Sequence, residues 1–379
     1  MTVSIRGPAT LRRYATLSRA PFARAVLVYL IVRVLTLLAV VVADVFTHSG
    51  VVHDLSIWDG AWFLRAVEHG WPSHLPIAQG HVLANPVAFF PLLPLLIRGV
   101  ADVTRLSPPV VGLLLSALTG LSALLSIGFL TREFAGEEKA ERAALLFAVA
   151  PGAFVFSLIY AEGLVLTFIA AGLIALLRRR WLAAGVLGAL ASAASPVGLA
   201  FVVSCAVTAI IAVHREREWT ALLAPLLAPV GFAAWMVFLW VHTNNLMAWR
   251  LTERGGWNSY PSLAYPVHIL TTFLFNPIAP TMTGQILFWG TVASAIGVVL
   301  MFRERQPLPV LVYGVSAVIM FATAAPVGLR PRFIMVAFPM IVAAATRWSG
   351  WRYRAIVAFS ALVLALMSIE TLSSYAVFP

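Results

Sequence analysis

Two carboxylates and a pair of arginines are the residues of this chain whose types and settings could do chemistry. Asp59 stands in HDLSIWDGAWFLRAVEHGWP, residues 53–72, the densest polar stretch of the sequence. There it can begin a short helix, with its carboxylate near the positive N-terminal end. A carboxylate so placed and facing a cleft serves as a general base, and taking the proton from an attacking hydroxyl is worth about 10²–10⁴-fold in rate. The structural alternative is a plain helix N-cap. Trp58, Trp62, Arg65 and His69 fall at i, i+4, i+7 and i+11, an aromatic and basic stripe. Trp58 and Trp62 are expected to meet substrate, or else to anchor the stretch at a membrane interface. Glu68 lies nine residues from Asp59, about half a turn away around a helix, so the two cannot work as a hydrolase pair of carboxylates. Asp54, five residues before Asp59, is the substitute acid.

Glu162, in the YAE of 160–162, sits between two apolar runs, where a carboxylate is costly unless paired, snorkelling or functional. Arg330 and Arg332, in GLRPRF, offer planar forks of donors suited to a phosphate, whether on a lipid-linked substrate or on an anionic headgroup. Arg250 and Arg254, with His242, Trp257, Tyr260 and His268, form a second polar set without individual roles. No two-histidine helix motif, DxD triplet, cysteine cluster or GxxxxGK loop is present, so nucleotide sugars and ATP are not expected as direct substrates. No cofactor is expected; a divalent ion held by His53 and Asp54 beside Asp59 remains open.

These residues need a frame, and composition says what kind. The chain has 379 residues, 61% hydrophobic and 11% charged, with mean hydropathy +0.93. Soluble domains carry about 25% charged residues, so this is a membrane protein. The single cysteine, Cys205, excludes an intramolecular disulfide. Apolar runs of the order of 20 residues fall at 25–47, 107–130, 142–158, 161–177, 181–196, 197–213, 219–241, 285–302, 308–325, 333–347 and 355–375. The fold expected is therefore an all-α polytopic membrane protein of about eleven transmembrane helices. The basic residues 1–24 resemble the start of a signal peptide, but the apolar run that follows is too long for one and reads as an uncleaved anchor.

With residues 1–24 in the cytoplasm, 18 of the 26 basic residues lie inside and seven outside, Arg33 falling within the first span. This asymmetry accounts for the net charge of +11 through orientation in the membrane, without nucleic acid. The stretch 89–106 is apolar enough to be read as another span, but that would put Arg178, Arg179 and Arg180 outside. Its Arg98, Asp102 and Arg105 at i, i+4 and i+7 mark an amphipathic helix lying in the outer interface. Residues 25–379 thus form one transmembrane domain with two long outer segments, a catalytic loop at 47–106 with interfacial helices and a second segment at 242–284.

WDGAWFLRAVEHGWP, then NPVAFFPLLPLL, then PGAFVFSLIYAEGLVL, resemble in order the mannosyltransferase family typified by the enzyme that adds the second mannose of the glycosylphosphatidylinositol anchor, the PIG-V type. The likeness runs from about residue 25 to 200, with a weaker echo in PRFIMVAFP near 331–339. It implies a polytopic GT-C glycosyltransferase of the plasma membrane that moves mannose from a polyprenyl phosphate to an acceptor hydroxyl, on the outer face and with inversion. It also implies Asp59 as the base and a place for Glu162 in the sugar or acceptor cleft. Ala161 stands where many relatives carry serine, and Ser195 and Pro196 stand near a position where many carry arginine. The partners implied are the lipid-linked donor, a glycolipid or other hydroxyl-bearing acceptor and the bilayer. The rival class is a non-enzyme: a carrier or flippase of a lipid-linked sugar, or a partner within an envelope complex. Carriers concentrate ionisable groups near the midplane in broken spans, whereas the acids here fall at the outer boundary.

Overall fold

The computed structural model describes residues 22–276 and 281–373; the basic segment 1–21 lies outside the described residues. The elements in chain order are α1 (Ala23–Thr47), α2 (Val51–Asp54), α3 (Asp59–His69), the strands β1 (Ile77–Ala78) and β2 (His81–Val82), α4 (Leu92–Thr104), α5 (Pro108–Ala135), α6 (Glu137–Ala148), α7 (Glu162–Leu177), α8 (Trp181–Ala194), α9 (Gly198–Glu216), α10 (Leu223–Leu227), α11 (Val230–Thr243) and α12 (Ala248–Trp257). They continue with β3 (Tyr260–Pro261), α13 (Tyr265–Phe275), α14 (Met282–Arg303), α15 (Leu308–Ala322), β4 (Ala324–Ala325), α16 (Pro331–Val336), α17 (Pro339–Arg347) and α18 (Gly350–Ser373).

Among the described residues the apolar runs read from the sequence are mainly helical, and the fold is an all-α membrane bundle. Among the described residues six helices are long and apolar enough to cross a bilayer, with a seventh if α6 and the 3-10 turn Pro151–Ser157, bent by 68°, count as one span. The remaining expected spans are shorter, as in α7, α8 and α15, or broken, as between α16 and α17. The expected count of eleven therefore exceeds what helix length alone supplies. The stretch 89–106 forms α4, buried through Leu93, Pro94 and Ile97, with Arg98, Asp102 and Arg105 exposed, which agrees with an amphipathic helix.

The broken segment after α6 exposes backbone groups that a helix would have satisfied, and side chains take over that duty. Arg33 donates to the carbonyl of Ala153, and Ser360 donates to that of Val149 at 2.9 Å. The main-chain amide of Tyr160 donates to Ser116 Oγ at 3.0 Å, and that hydroxyl donates to the Tyr160 carbonyl at 3.2 Å. The YAE turn is thereby tied to α5. Small residues bring α5 and α7 together: a Cβ on Gly163 would fall 2.6 Å from the Gly120 nitrogen.

Ion pairs and hydrogen bonds tie the short basic connections to one another. Arg178 at the α7–α8 turn bonds Glu133 of α5, Arg179 bonds Glu216 at the end of α9 and Glu218 just after it, Arg347 of α17 meets Glu304 after α14 at 3.6 Å, and Tyr353 donates to the Arg142 carbonyl. These contacts gather the short basic connections 131–141, 178–180, 214–218, 303–307 and 348–354 at one end. The long segments meet at the other: β3 pairs with β4, Tyr260 opposite Ala325, and His242 bonds the Trp71 carbonyl at 2.8 Å.

Candidate active site

α3 starts with Asp59, and the residue that caps it is Trp58, with φ 60° and ψ −127°. The N-cap alternative for Asp59 is thereby overturned: its carboxylate accepts from Arg332 Nη1 at 2.6 Å instead of capping its helix. A tryptophan held at positive φ costs about 1–3 kcal/mol and persists only where the surroundings impose it. Here the Trp58 indole donates to the Thr371 carbonyl at 3.3 Å, while Phe63, Leu64, Ala66 and Val67 bury the inner face of α3.

Arg332 is the second residue of α16, whose first position is Pro331, pre-set in φ for a helix start. The chain passes so close to Gly152 that a Cβ there would lie 2.4 Å from the Pro331 carbonyl oxygen and 2.7 Å from the Arg332 Cα. The guanidinium is only 14% exposed, lies over the Tyr160 ring at 5.2 Å and the Phe333 ring at 4.4 Å, and sits 3.7 Å from Glu162 Oε1. Its Nη1 thus faces two carboxylates, Asp59 and Glu162, each in the first turn of its own helix. Its Nε is buried without a partner.

These three side chains open on a cavity of about 570 Å³. Phe63, Phe89, Val165, Val197, Phe321 and Val336 give it an apolar side, while Arg250, Glu253, Ser259 and Tyr260 give it a polar one. Glu253 is the residue that the sequence reading missed. Burial pushes its carboxyl up to about 7, and the charge of Asp59 acts in the same direction; a hydrogen bond from Ser259 and the charge of Arg332 oppose this. The missed signal was helical spacing: Trp249, Glu253 and Trp257 recur every four residues along α12, so they share one face, and all three line the cavity.

Of the expected site residues, Asp59, Glu162 and Arg332 come together. Trp58 and Trp62 do not reach the cavity: Trp62 stacks on Phe89 and meets the edge of Trp257 at 5.4 Å, one layer behind the wall. Asp54 ends α2, accepts from Ser49 Oγ at 2.7 Å and is not among the lining residues. Arg330 lies within electrostatic reach of Asp59 and Arg332, half-buried behind the wall; burial, then Arg332, lower its pKa. Arg250, Trp257 and Tyr260 line the cavity, whereas His242 is engaged with Trp71. Among the described residues no three His, Cys, Asp or Glu side chains gather as a metal cluster.

The family described as mannosyltransferase (PIG-V) matches residues 33–224. No curated protein matches the chain. Among solved structures, ArnT from Cupriavidus metallidurans in the apo state superposes with a TM-score of 0.51 at 15% identity, over 80% of this chain and 57% of that one. ArnT bound to undecaprenyl phosphate gives 0.50 at 15%, over 83% and 68%. The oligosaccharyltransferase AglB from Archaeoglobus fulgidus, in complex with an inhibitory peptide and a dolichol-phosphate, gives 0.41 at 14%, over 77% and 48%. The chain thus spans 57% of the length of apo ArnT, and what it shares with ArnT is the fold, the GT-C architecture that the sequence resemblance implies.

Proposed function

The chain belongs to the mannosyltransferase (PIG-V) family, and from that premise we propose that it is a membrane glycosyltransferase acting on a lipid-linked sugar donor. In this reading the donor is polyprenyl phosphomannose, the acceptor is a hydroxyl presented at the outer face of the plasma membrane with the N-terminus cytoplasmic, and the anomeric centre is inverted. The observation that carries it is the Asp59 carboxylate, set in the cavity against a buried arginine and a second carboxylate.

Asp59 takes the proton of the acceptor hydroxyl as its oxygen attacks the anomeric carbon. The bond from that carbon to the phosphate oxygen breaks on the opposite face, and its electron pair leaves with the polyprenyl phosphate. One displacement inverts the centre. Arg332 supplies charge-assisted donors to the departing phosphate, its unpartnered Nε included, and Arg330 adds positive potential from behind the wall. The apolar side of the cavity, around Val197, Phe321 and Val336, takes the first isoprene units. The Arg332 guanidinium, set between Asp59 and Glu162, supplies positive counter-charge to both carboxylates.

The test is sugar transfer by purified protein given polyprenyl phosphomannose and a membrane-lipid extract as acceptor pool. Asp59→Asn keeps the size of the side chain and removes the base, so transfer falls by about 10²-fold or more. An Asn variant that turns over at the wild-type rate sinks the assignment of the base. Without transfer by the wild type, tight donor binding would point to a missing acceptor or another sugar, and absent donor binding would move the reading to a carrier or an envelope partner.

A further inference from the structure

The cavity has two walls of different chemistry, and only one is used by the donor. Asp59, Glu162 and Arg332 line the first. The second is α12, which turns Trp249, Glu253 and Trp257 inward and is fixed from behind. Gly255 and Gly256 let the chain at Val82 and Ala84 lie directly on α12, where Cβ atoms would fall 2.3 Å from the Val82 carbonyl oxygen and 2.6 Å from the Ala84 Cα. Asn85 donates to Thr252 Oγ1 at 3.3 Å, and the Ser259 amide returns to the Glu253 carbonyl at 2.9 Å. The wall is therefore rigid, and it presents two indoles and the Glu253 carboxyl, with Arg250 of the same helix also lining the cavity. The Trp249 indole nitrogen is buried and donates to nothing in the protein.

Indole faces stack on the apolar face of a pyranose, while a carboxyl and an indole N–H beside them match ring hydroxyls. Resting on the transferase reading above, we propose that α12 is the acceptor subsite, that it takes a neutral glycoside, and that Glu253 holds a proton there and donates it in a hydrogen bond to a sugar oxygen. The subsite adjoins Asp59 closely enough for the two carboxyls to sense each other's charge, so a sugar held on α12 presents a hydroxyl to the base. Burial and the charge of Asp59 favour this form, while a hydrogen bond from Ser259 and the charge of Arg332 oppose it. Asp59 from α3 opposes a second negative charge, and Arg332 from α16 is already shared by Asp59 and Glu162. On α12 itself Arg250, which lines the cavity, and Arg254 are both exposed. Of the elements packed on α12, β2 brings the exposed His81 and α11 brings His242, held by the Trp71 carbonyl.

Binding of methyl α-mannoside to the full chain, followed by tryptophan fluorescence, tests this without requiring turnover. With the Glu253 carboxyl at about 7, wild-type affinity falls about tenfold from pH 6 to pH 8. Glu253→Gln, which keeps a donor at every pH, binds with a flat profile, and Asp59→Asn moves the wild-type midpoint to lower pH while binding persists. Trp249→Phe keeps the ring and loses the N–H, weakening binding about 3- to 10-fold throughout. A wild type that binds no glycoside, a wild-type affinity unchanged across this range, or a Glu253→Gln variant that loses binding or keeps the wild-type profile overturns the proposal. Failure of the transferase reading shows separately, in the donor and Asp59→Asn transfer assay.

Discussion

The two ends of the bundle use the same pair of residue types for opposite purposes. At the basic end Arg178, Arg179 and Arg347 meet glutamates across short connections, with the arginine side chains 48–52% exposed. At the other end Arg332 is 14% exposed and stands between Asp59 and Glu162. Water screens the first set, and each pair there joins two neighbouring turns at little cost. In the second set desolvation makes each charge depend on the other, so the arrangement is one that a substrate can reorganise. Burial, more than residue type, separates a fastening from a reactive site.

The sharpest way to break this contrast is Arg332→Met. It leaves two partly buried carboxylates facing each other without a cation, and stability falls by about 3–5 kcal/mol in thermal or denaturant unfolding. Adding Asp59→Asn to it restores part of that loss, because one of the two charges is gone. A loss below about 1 kcal/mol for Arg332→Met would make this cluster equivalent to the surface pairs.

A smaller effect is expected one layer back. Gly152→Ala pushes against Pro331 and the Arg332 backbone, costing about 1–3 kcal/mol by overpacking. Displacing the guanidinium by about 1 Å lowers transfer by about 10²-fold. Wild-type turnover in Gly152→Ala would mean that the site tolerates movement of Arg332.

How much of this was legible in the sequence follows from what is local and what is not. The helices were, because each apolar run records its own burial. Asp59, Glu162 and Arg332 could each be named from type and position. Their meeting could not, since Asp59 and Arg332 lie 273 residues apart and only the packing of α16 on the turn at Gly152 brings them together. Trp58 and Trp62 share a helical stripe with Arg65, and Arg65 covers the Trp62 ring at 4.6 Å. That stripe turns toward Phe89 and Trp257 and not to the cavity, a choice that spacing does not encode. Glu253 escaped notice because α12 reads as a polar surface helix; its burial is imposed by the chain at 82–85, a segment remote in sequence.

The weakest expected effect belongs to the basic end. Arg347→Gln removes a contact at 3.6 Å from Glu304, between a half-exposed arginine and a glutamate 14% exposed. Glu304 is the C-cap of α14, and its half-exposed partner leaves the pair open to water on one side. Unfolding should shift by about 0.2–1 kcal/mol, and less in high salt, with transfer unchanged. A loss as large as that of Arg332→Met would show that the turn between α14 and α15 is fastened by this pair. Both ends would then be held by buried charge, and the division of labour drawn between them would fail.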